Sequence, residues 1–228
     1  VFAYSLPAAL LAPIAPTTPI SLHTDWNWVG YLLQQSMPVG DALVSIAGKY
    51  TRVADGKARL YRPDLPQFST LSQLVPDDGY LVFMTETTTL VYPDPLVAAE
   101  SEPVAVRAIC EDVSPTPAFT WLYGKLLVNG QPAAVGSRVD VLTPRGELAG
   151  CAVVDNAGQY GFLPVYGADG GNPPLPGFAD GEVMRLRVNG QNVTLTEPLL
   201  WRNDKQERRV DLSVEVAEQR FFLPLIGR

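Results

Sequence analysis

Leu148-Ala149-Gly150-Cys151-Ala152-Val153-Val154 followed by Asp155-Asn156-Ala157-Gly158 and then Gln159-Tyr160-Gly161-Phe162-Leu163 decides the fold class. Two short runs of small, β-branched and aromatic residues flank four residues that favour turn geometry, which is the signature of antiparallel strands. Asp155 and Asn156 tolerate the bend, and Gly158 supplies a positive φ without strain. Tyr160 and Phe162, two residues apart, are expected on one side of the outgoing strand.

The same punctuation recurs on both sides. Phe119–Val128 reads as a strand that ends at Asn129-Gly130, a hairpin dipeptide. Arg138–Thr143 alternates, with Val139 and Val141 on one face and Asp140 and Leu142 on the other, before Pro144-Arg145-Gly146 turns the chain. Glu182–Val188 and Arg209–Val216 complete about seven strands, the number of a sandwich. Val-Asn-Gly-Gln occurs at 128–131 and again at 188–191, and two hairpin tips explain it.

Upstream, Trp26-Asn27-Trp28-Val29-Gly30-Tyr31 opens an aromatic module over residues 23–98. Asp41 is read as the N-cap of a short helix, and Thr70–Leu74 as another. Tyr50–Val53 and Ala58–Tyr61 pair around Ala54-Asp55-Gly56-Lys57, and Pro76-Asp77-Asp78-Gly79 precedes a last strand pair, Tyr80–Met84 and Thr87–Tyr92. The expected core is Trp28, Tyr50, Leu74 and Tyr80. Residues 99–118 hold four acids, one base and three prolines, which suits a linker. The expected organisation is a tail at 1–22, the aromatic module at 23–98, the linker, a sandwich at 119–216 and an apolar tail at 217–228. The fold class is mostly β.

Composition excludes several functions. Of 228 residues 46% are hydrophobic and 18% charged, with a net charge of −7 and a pI near 4.7. An acidic chain does not offer the basic face that nucleic acid needs. No stretch of 18 apolar residues could span a membrane as a helix. Cys110 and Cys151 are the only thiols and are expected to form one disulfide in an exported protein; in a reducing compartment two buried free thiols would replace it. The opening Val1–Ile20 is broken by four prolines and lacks a basic signal-peptide region, so a mature secreted chain is expected.

No enzyme, cofactor or metal is expected. His23 is the only histidine and has no nucleophile motif beside it. One His and two Cys are a poor zinc set, and Asp169, Asp180 and Glu182 lack the spacing of a calcium loop. Trp26, Trp28 and Tyr31 have two readings: core of a small module, or a stacking platform for surface glycans. Asn192-Val193-Thr194 fits a glycan sequon and also a strand after a turn.

In the tail, Phe2, Tyr4, Leu6, Ala8 and Leu10 fall on one side of an extended chain. Phe2, Tyr4, Leu6 and Leu10 would be a hazard if exposed, so the tail is expected to add as a strand to a sheet edge, either of its own chain or of another copy. The functional expectation is therefore an extracellular structural protein, a self-associating filament or surface-layer subunit. The alternative is a carbohydrate- or cell-surface-binding adhesion module.

Two resemblances bear on this. Gly124-Lys125-Leu126-Leu127-Val128-Asn129-Gly130-Gln131-Pro132-Ala133, then Val139-Asp140-Val141 and Val154–Phe162, resemble the transthyretin-like or carboxypeptidase-regulatory-like domain. That resemblance implies a β-sandwich over 119–216, from which the insert Tyr166–Asp180 departs, and it says little about function. Some such domains cross-link a first-strand lysine, here Lys125, to a last-strand asparagine; the last strand here offers Asp211 and no asparagine, and a surface lysine is the expectation. Trp26–Tyr31, Ile46–Val53, Tyr61-x-Pro63, Leu74–Tyr80 and Met84-Thr85 resemble a small module of secreted multidomain bacterial proteins, and Phe221–Arg228 resembles their terminal signature.

Overall fold

The structure is a computed structural model, and it describes residues 17–93, 110 and 112–215. The tail residues Phe2, Tyr4, Leu6 and Leu10, most of the linker and residues 217–228 lie outside the described residues. The described residues are mostly β, with 44% strand and 5% helix. It divides into two compact units, Val1–Arg107 and Ala108–Arg228.

In the first unit the chain runs through β1 (Ile20–Leu22), β2 (Asp25–Gly30), β3 (Met37–Pro38), α1 (Val39–Ala42), β4 (Tyr50–Asp55), β5 (Leu60–Tyr61), β6 (Gln73–Leu74), β7 (Gly79–Met84) and β8 (Thr88–Leu90). An antiparallel sheet has the order β2-β7-β4-β5, while β1 pairs with β8 and β3 with β6. The period of two in β7 decides which face is buried: Tyr80, Val82 and Met84 point into the core, and Leu81 and Phe83 point out. Leu22, Leu43, Ile46, Leu71, Leu74 and Leu90 cover the inner face. Ile20–Leu22, placed with the tail in the sequence reading, is thus a strand whose Leu22 is core.

Of the two short helices read from the sequence, the first is present, as α1 and a 3-10 turn at Val44–Ile46, with a different residue before it, and the second is absent. Pro38, not Asp41, is the residue before α1, and no side chain caps it. Thr70–Leu74 contains no helix; Gln73–Leu74 pairs with β3 instead. Tertiary pairing overrides propensity in segments this short. Asp55 is buried at the β4–β5 turn, where its Oδ1 accepts the N–H groups of Lys57 (3.0 Å) and Arg59 (2.8 Å) and its Oδ2 meets Arg59 Nε at 2.5 Å.

The second unit contains β9 (Phe119–Val128), β10 (Gln131–Pro132), β11 (Arg138–Leu142), β12 (Leu148–Val153), β13 (Gln159–Tyr166), β14 (Arg185–Val188), β15 (Gln191–Asn192), β16 (Glu207–Arg209) and β17 (Leu212–Val214). One sheet is built on β9, which pairs antiparallel with β13 and β10 and parallel with β16 and β17. The other has the order β12-β11-β14-β15. Leu122, Leu126, Leu163 and Val165 from the first sheet share one buried cluster with Val139, Val141, Leu186 and Val188 from the second, which makes a sandwich-like core. Gly150 sits where the sheets converge: a Cβ there would come within 2.6 Å of the Pro164 carbonyl oxygen.

Both Val-Asn-Gly-Gln repeats are hairpin tips, with positive φ at Asn129, Gly130, Asn189 and Gly190. Tyr160 and Phe162 do not share a face. The register of β13 shifts between Tyr160 and Leu163, so Tyr160 joins the inter-sheet core while Phe162 packs against Tyr123 with centroids 4.8 Å apart. The last strand is also interrupted. Between β16 and β17, Val210 lies so close to Gly124 that a Cβ at 124 would meet the Val210 carbonyl oxygen at 2.4 Å.

Candidate functional site: an aromatic strip on an edge strand

β2 borders the first unit's sheet and pairs only with β7 among the described residues. Its alternation turns Val29 inward and leaves Trp26 and Trp28 on the outer face. The register sets Trp26 beside Phe83 and Trp28 beside Leu81, and Phe83 lies opposite Arg52 of β4. Trp26 meets Phe83 edge-on at 5.2 Å. The Arg52 guanidinium lies 4.8 Å from the Phe83 centroid and 5.8 Å from that of Trp26, a cation–π arrangement on both rings. Trp28 is 73% exposed. The sequence expectation that Trp28 is core is therefore corrected: a strand cannot bury Val29 and Trp28 on the same face.

Tyr31 does not belong to this strip. It follows the end of β2 and is buried, edge-on to Tyr92 at 5.2 Å, with its hydroxyl donating to the Gln35 carbonyl at 2.8 Å. Burial, with a smaller contribution from Tyr80, pushes its phenol up to about 12. Trp26 and Trp28 are thus brought together and Tyr31 is excluded. Phe83 and Arg52 went unnoticed in the sequence because they join the strip across strands; alternation in Tyr80–Met84 was the available signal.

In the second unit Cys110 and Cys151 form a disulfide, with Cα atoms 5.9 Å apart. Cys151 lies opposite Asp140 on β11, so the bridge holds the chain at Cys110 against the outer side of the β12-β11-β14-β15 sheet. An ion pair between Arg138 and Asp112 (2.8 Å) adds to this anchor, and Arg138 Nε also meets Asp140 at 2.6 Å. The two acids hydrogen-bonded to Arg138 raise its pKa further.

Other sequence candidates separate. His23 is exposed, and its backbone N–H bonds the Asn27 side chain. Glu182 pairs with Arg145 and accepts the Ala179 N–H. Among the described residues no cluster of His, Cys, Asp or Glu could hold a metal. Lys125 has an exposed side chain; its backbone N–H reaches Asp211 Oδ1 at 2.9 Å, so the two residues meet through the main chain. Asn192 is exposed on β15, after the Asn189-Gly190 tip. No helix among the described residues is long and apolar enough to cross a membrane. No family model, curated protein or solved structure matches the chain.

Proposed function

We propose that the chain is an extracellular structural protein, a self-associating subunit of a filament or surface layer whose apolar N-terminal strand packs on another copy. The observation that carries this reading is the edge of β2 beside Trp26 and Trp28, which no strand covers among the described residues. An extended strand added there gains main-chain hydrogen bonds along the edge, and its bulky residues gain an aromatic surface on the outer face. Phe2, Tyr4, Leu6 and Leu10 supply that pattern. The disulfide agrees with an oxidising, extracellular setting. A head-to-tail contact of this kind propagates into open filaments unless the rotation closes a ring. Deletion of residues 1–16, which leaves β1 intact, tests it: light scattering is expected to show loss of assembly in a folded protein.

A second reading, carbohydrate or cell-surface adhesion, is favoured by the open ring of Trp28, a stacking surface ready for a sugar face. Glycan-array binding that disappears in Trp28→Ala would select it.

A further inference from the structure

A groove of about 690 Å³ opens in the second unit beside β14, far from any residue of the aromatic strip in sequence. Its apolar lining is aliphatic, with Leu142, Val193, Leu195 and Leu199 among the contributors, and no aromatic residue takes part. Arg185 and Arg187 also line it. Two positions apart on one strand, they project from the same face about 7 Å apart. Arg185 is exposed and makes no ion pair among the described residues, and Arg187 has only Asp140, at 3.7 Å. Glu197 is the one acid of the lining. The groove is thus a small cationic, aliphatic surface on a chain of net charge −7.

We infer that this groove docks an extended acidic strand, and that the strand is residues 95–106 of a second copy. The inference rests on the self-association reading above. Charge and side-chain type both match. Glu100 and Glu102 are two residues apart, so in an extended strand their carboxylates share one face at the same spacing of about 7 Å as the two arginines. Leu96 and Val97 precede them and Val104 and Val106 follow, aliphatic for aliphatic. The segment contains no base, and it lies outside the described residues. Opposed charges at matched spacing select register and partner, while the aliphatic contacts supply burial. An acidic polysaccharide fits less well, because the groove offers no ring on which a sugar could stack.

Isothermal calorimetry of the full chain against a synthetic peptide of residues 95–106 tests this. Saturable binding that weakens with added salt is expected, since exposed ion pairs are screened. Replacing both glutamates of the peptide by glutamine should weaken binding about tenfold, and Arg185→Glu in the protein at least about fivefold. Arg185 makes no ion pair among the described residues, so that variant keeps its fold even where a change at Arg187 disturbs Asp140. Absence of peptide binding overturns the inference, as does equal binding of the glutamine peptide, or binding of an oligouronate in place of the peptide. In the full chain, Arg185→Glu should also move self-association to higher concentration; unchanged association overturns the second copy as the source. The readouts separate the two readings. Peptide binding that survives when the 1–16 deletion leaves assembly intact removes the tail reading and leaves the groove.

Discussion

Asp55 shows how much one buried carboxylate carries. It satisfies two N–H groups of a tight hairpin and pairs with Arg59, all inside the first unit. Asp55→Ala leaves those donors without a partner in a site water does not reach, so a loss of about 3 kcal/mol is expected in chemical denaturation. Trp28→Ala is the contrasting case: an exposed ring contributes little to folding, and a change within about 0.5 kcal/mol is expected. Together the two variants separate a folding residue from a surface residue. The sequence showed the Asp55 hairpin, because Asp-Gly is a local turn signal. It did not show that Trp28 faces water, because two tryptophans two apart fit either face until the pairing with β7 sets which one is inward.

Strands and their connections were legible wherever turn residues bracketed a run of alternating side chains. Val139 and Val141 are buried, and so are Leu186 and Val188, on the faces their alternation gave. Irregularities were not legible. The register shift in β13 that sends Tyr160 and Phe162 to opposite faces, and the break at Val210 between β16 and β17, depend on what packs across the sheet. The Cys110–Cys151 bridge spans 41 residues of sequence and ties the chain at Cys110 to β12. Reduction is expected to destabilise the second unit by about 4 kcal/mol, largely by freeing the unfolded chain, with the first unit unaffected. Urea unfolding with and without reductant, followed by unit-specific tryptophan fluorescence, reads this: Trp26 and Trp28 report the first unit, Trp121 and Trp201 the second.

At the scale of the whole molecule, buried phenols, Tyr160 of the second unit among them, and paired carboxylates, Asp64 of the first unit among them, set the response to the two extremes of pH. In the first unit, burial raises the phenols of Tyr31, Tyr50, Tyr80 and Tyr92, with Tyr31 at about 12. A pKa raised by folding stabilises below the ordinary phenol value near 10 and loses that contribution as pH rises through the folded value. Alkaline unfolding of the first unit is expected between about pH 10 and 12, seen as phenolate absorbance that appears together with loss of structure. In the second unit, hydrogen bonds from the Arg209 guanidinium and the Lys125 N–H hold Asp211 below the usual carboxylate range. Burial alone would raise Asp204, but Arg208, the Gln206 N–H and Thr120 more than offset it, and its pKa is also lowered. Carboxylates depressed in this way stabilise above their ordinary range near pH 4, and that contribution is lost as pH falls through their folded values. The second unit is therefore expected to weaken below about pH 4, with its circular dichroism melting temperature falling there.

Self-association is the property on which the account as a whole depends, and it was read from alternation in a tail that a sheet edge, of its own chain or of another copy, would satisfy. The edge of β2, bordered by Trp26 and Trp28 and uncovered among the described residues, offers such an acceptor. Light scattering over a concentration series, comparing the full chain with a protein lacking residues 1–16, measures it directly. Concentration-dependent growth of the full chain is predicted, with the shortened, folded protein failing to grow and associating only at much higher concentration, through the groove alone. A full chain that stays monomeric, or a shortened protein that assembles as well as the full one, contradicts the account.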